Sequence, residues 1–155
     1  MALDLNKTSI EAAAGDGVYA PQPARTFKLA NNIGADVGAT TPCKLAGVAS
    51  TGMPVITPIT NVDEPVYCVL ARNLRTGAFA AGSHVKGWVA GEIVWLKSSA
   101  AIVAGALVQA GVDGRVATQT AANPVLGVAE SSASGENGLV AVRLTSPCAV
   151  YGAAE

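Results

Sequence analysis

Short runs of Val, Ile, Thr and aromatic residues alternate with polar positions along most of this chain, at a period of two. That period places successive side chains on opposite faces of a strand. Thr26 to Ala30 predicts a first strand, ended by Asn31-Asn32 and a glycine turn. Residues 42 to 65 alternate Val, Ile and Thr around Pro54, Pro58 and Pro65. Proline has no N–H to give to a ladder, so this stretch predicts an edge strand or an extended loop. Val66 to Ala71 predicts another strand, and Trp88 to Leu96 a further one with a bulge or bend at Gly91. Ala106 to Ala110 and Arg115 to Thr118 flank Asp113-Gly114, which predicts a hairpin closed by a two-residue type I′ turn. Val125 to Ala129 suits a strand and is too short for a helix. After a polar loop, Leu139 to Leu144 sets Val140, Val142 and Leu144 on one face and Arg143 on the other. Outside Ala-rich stretches, no run of ten residues keeps a 3.6 period. The expected fold is all-β: a small β-sandwich or β-barrel.

The beginning of the chain lacks this patterning. Residues 1 to 25 offer a short helical turn at Ser9 to Ala14, stopped at once by Gly15, and then Pro21 and Pro23. They are read as an extended N-terminal arm, with 26–155 as one β-rich domain.

Composition narrows the function classes. Of 155 residues, 50% are apolar and 14% charged, against about a quarter charged in an ordinary globular domain. Ten basic residues nearly balance eleven acidic ones, and neither sign forms a run. A nucleic-acid partner needs a basic stripe to neutralise phosphates, and an anionic membrane needs a basic cluster, so neither is expected. The longest charge-free stretches, Leu45 to Val62 and Ser98 to Val112, are respectively broken by prolines and shorter than the roughly 20 residues a spanning helix needs. The N-terminus carries Asp4 and Glu11 and lacks the apolar centre of a signal peptide, so a soluble protein made in the cytoplasm is expected. Cys43, Cys68 and Cys148 are too widely spaced for a zinc pattern and read as small buried or half-buried hydrophobes. Few charges combined with many strand edges favour burial of surface in an oligomer.

Candidate chemistry is sparse. His84 follows Ser83, but neighbours on a strand point to opposite faces, which sets the pair badly for proton transfer. Asp63-Glu64 precedes Pro65 and reads as a solvated turn. Asp113-Gly114-Arg115 offers one acid beside a base, too little for a calcium loop. The glycines match no phosphate-binding motif, and Arg72 with Arg75 reads as a strand-end surface. Catalytic residues, metal ligands and cofactors are therefore not expected. Trp88 and Trp95 face opposite sides on strict alternation and the same side if Gly91 bulges. One is expected in the core and the other at a subunit contact, where Trp is enriched.

Taken as one unit, residues 101 to 144 carry a resemblance. They run Ile102-Val103-Ala104-Gly105-Ala106-Leu107-Val108, Asp113-Gly114-Arg115-Val116, Pro124-Val125-Leu126-Gly127-Val128-Ala129 and Gly135-Glu136-Asn137-Gly138-Leu139-Val140-Ala141-Val142-Arg143-Leu144. This order resembles the small capsid decoration, or cement, proteins of tailed bacteriophages, over roughly residues 84 to 147. The resemblance implies a structural virion protein without catalytic residues, made in the host cytoplasm. It further implies binding to the outer capsid surface, commonly as a trimer, so that the partners are the major capsid protein and the chain itself. Bridging neighbouring capsomers would stabilise the shell, and an arm such as residues 1 to 25 would order on binding. The alternative is a carbohydrate-binding or adhesive β-module of a virion fibre, which needs exposed aromatics in a chain that is only 5% aromatic.

Overall fold

Alternation at a period of two, cut repeatedly by Gly, Pro and Asn, yields many short strands. The computed structural model describes residues 13–17, 24–120 and 122–145, and among them it holds twelve strands and no helix. Cys148, most of the expected arm and most of the turn expected at Ser9 to Ala14 lie outside the described residues. In chain order the strands are β1 (Arg25–Leu29), β2 (Val37–Gly38), β3 (Pro42–Val48), β4 (Pro54–Pro58), β5 (Cys68–Leu70) and β6 (Ala78–Phe79). They continue as β7 (His84–Trp88), β8 (Ile93–Ser98), β9 (Leu107–Ala110), β10 (Arg115–Thr118), β11 (Gly127–Ala129) and β12 (Leu139–Leu144).

These strands close into two five-stranded barrels. The first runs β1-β4-β3-β5-β7 and the second β10-β8-β12-β11-β9, while β2 and β6 form a separate two-stranded ribbon. Closure satisfies the backbone groups that an open sheet would leave at its edges. The all-β expectation holds, with a barrel formed twice.

Each barrel has its own core. Phe27, Leu29, Cys43, Ile56, Cys68, Leu70 and Val85 fill the first. Leu96, Val108, Val116, Val140 and Val142 are among those that fill the second. Fully burying such a side chain contributes about 1.5–3 kcal/mol. The second cluster also takes in Ile59, Val69, Ala71 and Trp88 from the first barrel's side. Strand β5 shows how this works: Cys68 and Leu70 join the first core, while Val69 between them joins the second cluster. A strand buried on both faces in this way reads as a continuous apolar run.

Three local expectations need correction. The stretch from Trp88 to Leu96 is not one strand, because β7 belongs to the first barrel and β8 to the second. The chain turns at Val89–Glu92, where the Glu92 N–H donates to the Val89 carbonyl at 3.2 Å. Gly91 there has φ +94°, which glycine reaches without steric cost.

Within the proline-rich stretch, the strand that carries Pro54 and Pro58 is not an edge. Strand β4 pairs with β3 on one side and β1 on the other, and Pro54 and Pro58 are its first and last residues. End positions are where a missing N–H disturbs a ladder least.

The Asp113-Gly114 hairpin exists, but its loop has three residues. The Gly111 N–H donates to Arg115 O at 2.7 Å, and the Gly114 N–H donates to Gly111 O at 3.1 Å. Of the two turn residues only Gly114 has positive φ, +78°, so the loop is a β-turn followed by a left-handed glycine instead of type I′.

Candidate interaction surface

Beyond Cys43, strand β3 loses its second neighbour in the wall of the first barrel. Strand β3 pairs with β5 only through Pro42 and Cys43. From Lys44 to Val48 it has β4 on one side and, among the described residues, no strand on the other. Burial follows: Pro42 and Cys43 are buried, whereas Leu45 to Val48 are all exposed. Leu45 is 50% and Val48 68% exposed. From Leu45 to Val62 the chain carries no charge. The register shifts between Leu45 and Gly47, leaving an irregularity that twists and blunts the open edge.

The absence of charge from Leu45 to Val62 does not by itself mark a surface. The alternation there looks like that of any half-buried strand. What distinguishes it is that the pairing of β3 with β5 ends at Cys43, a tertiary fact.

At the base of the hairpin, Glu64 organises the return. Its carboxylate accepts from the Thr60 N–H at 2.6 Å and the Asn61 N–H at 3.3 Å, and it pairs with Lys44. The Lys44 ammonium, followed by the Thr60 N–H, holds the Glu64 carboxyl at about 2, well below its ordinary 4.5. Asp63-Glu64 is thus a turn in which Glu64 is a built part. Beyond β4, Ile33, Val37, Thr57 and Pro58 line a shallow cleft of about 330 Å³.

The two tryptophans occupy different places. Trp88 is 8% exposed and belongs to the cluster dominated by the second barrel, so it packs between the two barrels. Its Nε1 donates to the Gly15 carbonyl at 2.9 Å. Trp95 is half-buried on β8, and its backbone engages the same short segment. The Gly15 N–H donates to Trp95 O at 2.7 Å and the Trp95 N–H donates to Asp16 O at 2.9 Å. Asp16 also pairs with Arg72 at 3.3 Å. The part of the expected arm at 13–17 therefore lies against β8 and is tied to the first barrel through Trp88 and Arg72.

Gly114 meets the first barrel's side of the molecule at Thr40. A Cβ on Gly114 would come within 2.6 Å of Thr40 Oγ1 and 3.1 Å of Thr40 O. Asp113 accepts from Arg115 Nε at 2.7 Å, and Arg115 Nη1 reaches Glu136 at 2.6 Å. The Arg115 guanidinium lowers the Asp113 carboxyl, and the two carboxylates, Asp113 first, raise Arg115. This cluster fixes the loop to the surface of its own barrel.

The remaining candidates are dispersed. His84 opens β7, exposed and opposite Lys28, and the Ser83 hydroxyl donates to Ala80 O at 2.6 Å. Arg75 is exposed, with its backbone N–H on Asn73 Oδ1 at 3.0 Å. Cys43 and Cys68 are free and buried, as expected of small hydrophobes. Among the described residues, no three His, Cys, Asp or Glu side chains gather into a metal-holding group. No protein-family model matches the chain, and a search of curated proteins returns no match.

Proposed function

We propose that this protein is a structural virion protein that binds the outer surface of a phage capsid, as a homotrimer, and stabilises the shell by bridging capsomers. The observation that carries the reading is the outer part of the β3–β4 hairpin, uncharged from Leu45 onward and without a second neighbour strand on β3, with Leu45 and Val48 at 50% and 68% exposure. Such a surface gains by being covered by protein, since exposed apolar patches mark contact sites. The resemblance supports it from another side. All five strands of the second barrel, β8 to β12, fall inside residues 84 to 147. A fibre module that binds sugars has less support. Among the described residues Phe27 and Trp88 are buried and Tyr67, Phe79 and Trp95 half-buried, so no aromatic residue there is fully exposed to stack on a sugar ring.

Bridging needs no chemistry. Internal pressure from packaged DNA strains the junctions between capsomers. A bridge adds its binding free energy at each junction, and many copies multiply the effect. The test is cosedimentation with capsids assembled from the phage's major capsid protein. The wild-type chain is expected to pellet with them, and the double variant Leu45→Asp/Val48→Asp to bind at least tenfold more weakly. A wild-type chain that stays in the supernatant at micromolar concentration would overturn the proposal.

A further inference from the structure

Cys43 and Cys68 sit directly opposite each other in the antiparallel pairing of β3 and β5. Both side chains belong to the first core, at 0% and 1% exposure. Directly opposed residues of an antiparallel pair have Cβ atoms about 4.5–5.5 Å apart, and a disulfide needs about 3.5–4.5 Å. The approach required is about 1 Å. On the other side of β5, Gly87 lets the Cys68 sulfur and the Phe27 ring pack against bare backbone, since a Cβ there would stand 3.4 Å and 3.0 Å from them.

The seam between these strands is also short. It has two residue pairs, one of them through Pro42, which has no N–H to donate. Beyond Cys43, β3 continues into the open hairpin. A covalent tie here would join the base of the hairpin to the barrel wall.

We infer that Cys43 and Cys68 form a latent disulfide site that clasps β3 to β5. In the reduced state the Cys43 thiol donates to Thr41 O at 3.7 Å. The Cys43 thiol, and burial after it, push the Cys68 thiol well above the usual cysteine range. The closed barrel thus keeps the pair unreactive, and oxidation proceeds when the β3–β5 seam opens locally. With a peroxide as oxidant the step balances. One thiolate attacks a peroxide oxygen and becomes a sulfenic acid as the O–O bond breaks. The second thiolate then attacks that sulfur, so that two thiols and one hydrogen peroxide give one disulfide and two waters. A chain made in a reducing cytoplasm and carried outside on a particle would close the clasp only after release. That timing rests on the capsid reading, whereas the bond does not.

The test uses the full-length Cys148→Ser variant, in which only these two cysteines remain, treated while folded with millimolar hydrogen peroxide at neutral pH. Non-reducing mass spectrometry is expected to show loss of two hydrogens, with no maleimide added after denaturation and both changes reversed by dithiothreitol. The melting temperature should rise on the order of 5 °C on oxidation. Peptide mapping of oxidised wild-type chain should return the same Cys43–Cys68 link, which covers a variant that folds poorly. Two maleimide-reactive thiols after treatment would overturn the inference, as would disulfide-linked dimers or links to Cys148 in their place. A chain oxidised while unfolded in urea provides the positive control for bond formation. None of these readings involves a capsid, so failure here and failure of the capsid proposal are separate results.

Discussion

The indole Nε1 of Trp88 donates a 2.9 Å hydrogen bond to the carbonyl of Gly15, a residue 73 positions earlier in the chain. It ties a five-residue described segment to the place where the two barrels meet. A Trp88→Phe substitution keeps most of the apolar contact and leaves that buried carbonyl without its donor. The expected cost is about 1–3 kcal/mol. It is read as a lower midpoint in urea at unchanged slope, and an unchanged midpoint would show that this hydrogen bond contributes nothing to stability.

Gly127 lies where the backbone of β12 comes close to β11. A Cβ there would fall 2.1 Å from Arg143 O, so Gly127→Ala must push β11 away from β12. The expected loss is about 2–4 kcal/mol, of the size seen when a core is overpacked or strained. Thermal melting monitored by circular dichroism checks it.

Gly114 combines positive φ with contact to Thr40. Gly114→Val forces a β-branched residue into the left-handed region and into Thr40 together. The expected destabilisation is about 2–4 kcal/mol. Gly52, also at positive φ but with nothing within 4 Å of its Cβ position, separates the two effects. Gly52→Val should cost only the backbone part, about 1–2 kcal/mol.

Glu64 gives a pH dependence with a definite sign. Its carboxyl is held at about 2 in the folded chain, against an ordinary value of 4.5. A depressed folded value means that the stabilisation is fully present above about 4.5 and is lost as pH falls from there towards about 2. Glu64→Gln should lower stability by about 1 kcal/mol at pH 7, and by progressively less as the pH drops through that window. Parallel pH profiles for wild type and variant would contradict this assignment.

Much of the fold was legible in the chain because alternation and turn residues act locally. Strands β1, β5, β9, β10, β11 and β12 fall where the pattern of Val, Leu and Ile places them. Pairing was not legible, since it depends on which strands meet. Nothing local separates Trp88 from Trp95 into two barrels except one glycine turn, Val89–Glu92. Nothing local shows that β3 loses its second neighbour after Cys43. Val69 illustrates the same limit: its run Cys68-Val69-Leu70 is apolar throughout because each face meets a different core. The exposed Leu45 and Val48 escaped sequence reading for this reason.

Self-association tests the covering of the hairpin in the free protein. The 15.4 kDa chain is expected to sediment at micromolar concentration with three times that mass, and Leu45→Asp/Val48→Asp to shift it towards monomer while leaving the far-UV spectrum unchanged. A wild-type chain that sediments as a monomer would contradict the trimer.

The most direct measurement compares DNA-filled capsids with and without this protein bound at full occupancy, and reads the temperature at which they release their DNA. Bridging of capsomers predicts release at a temperature higher by several degrees on decorated shells, with the gain scaling with occupancy. Full occupancy with no change in the release temperature would contradict a stabilising role.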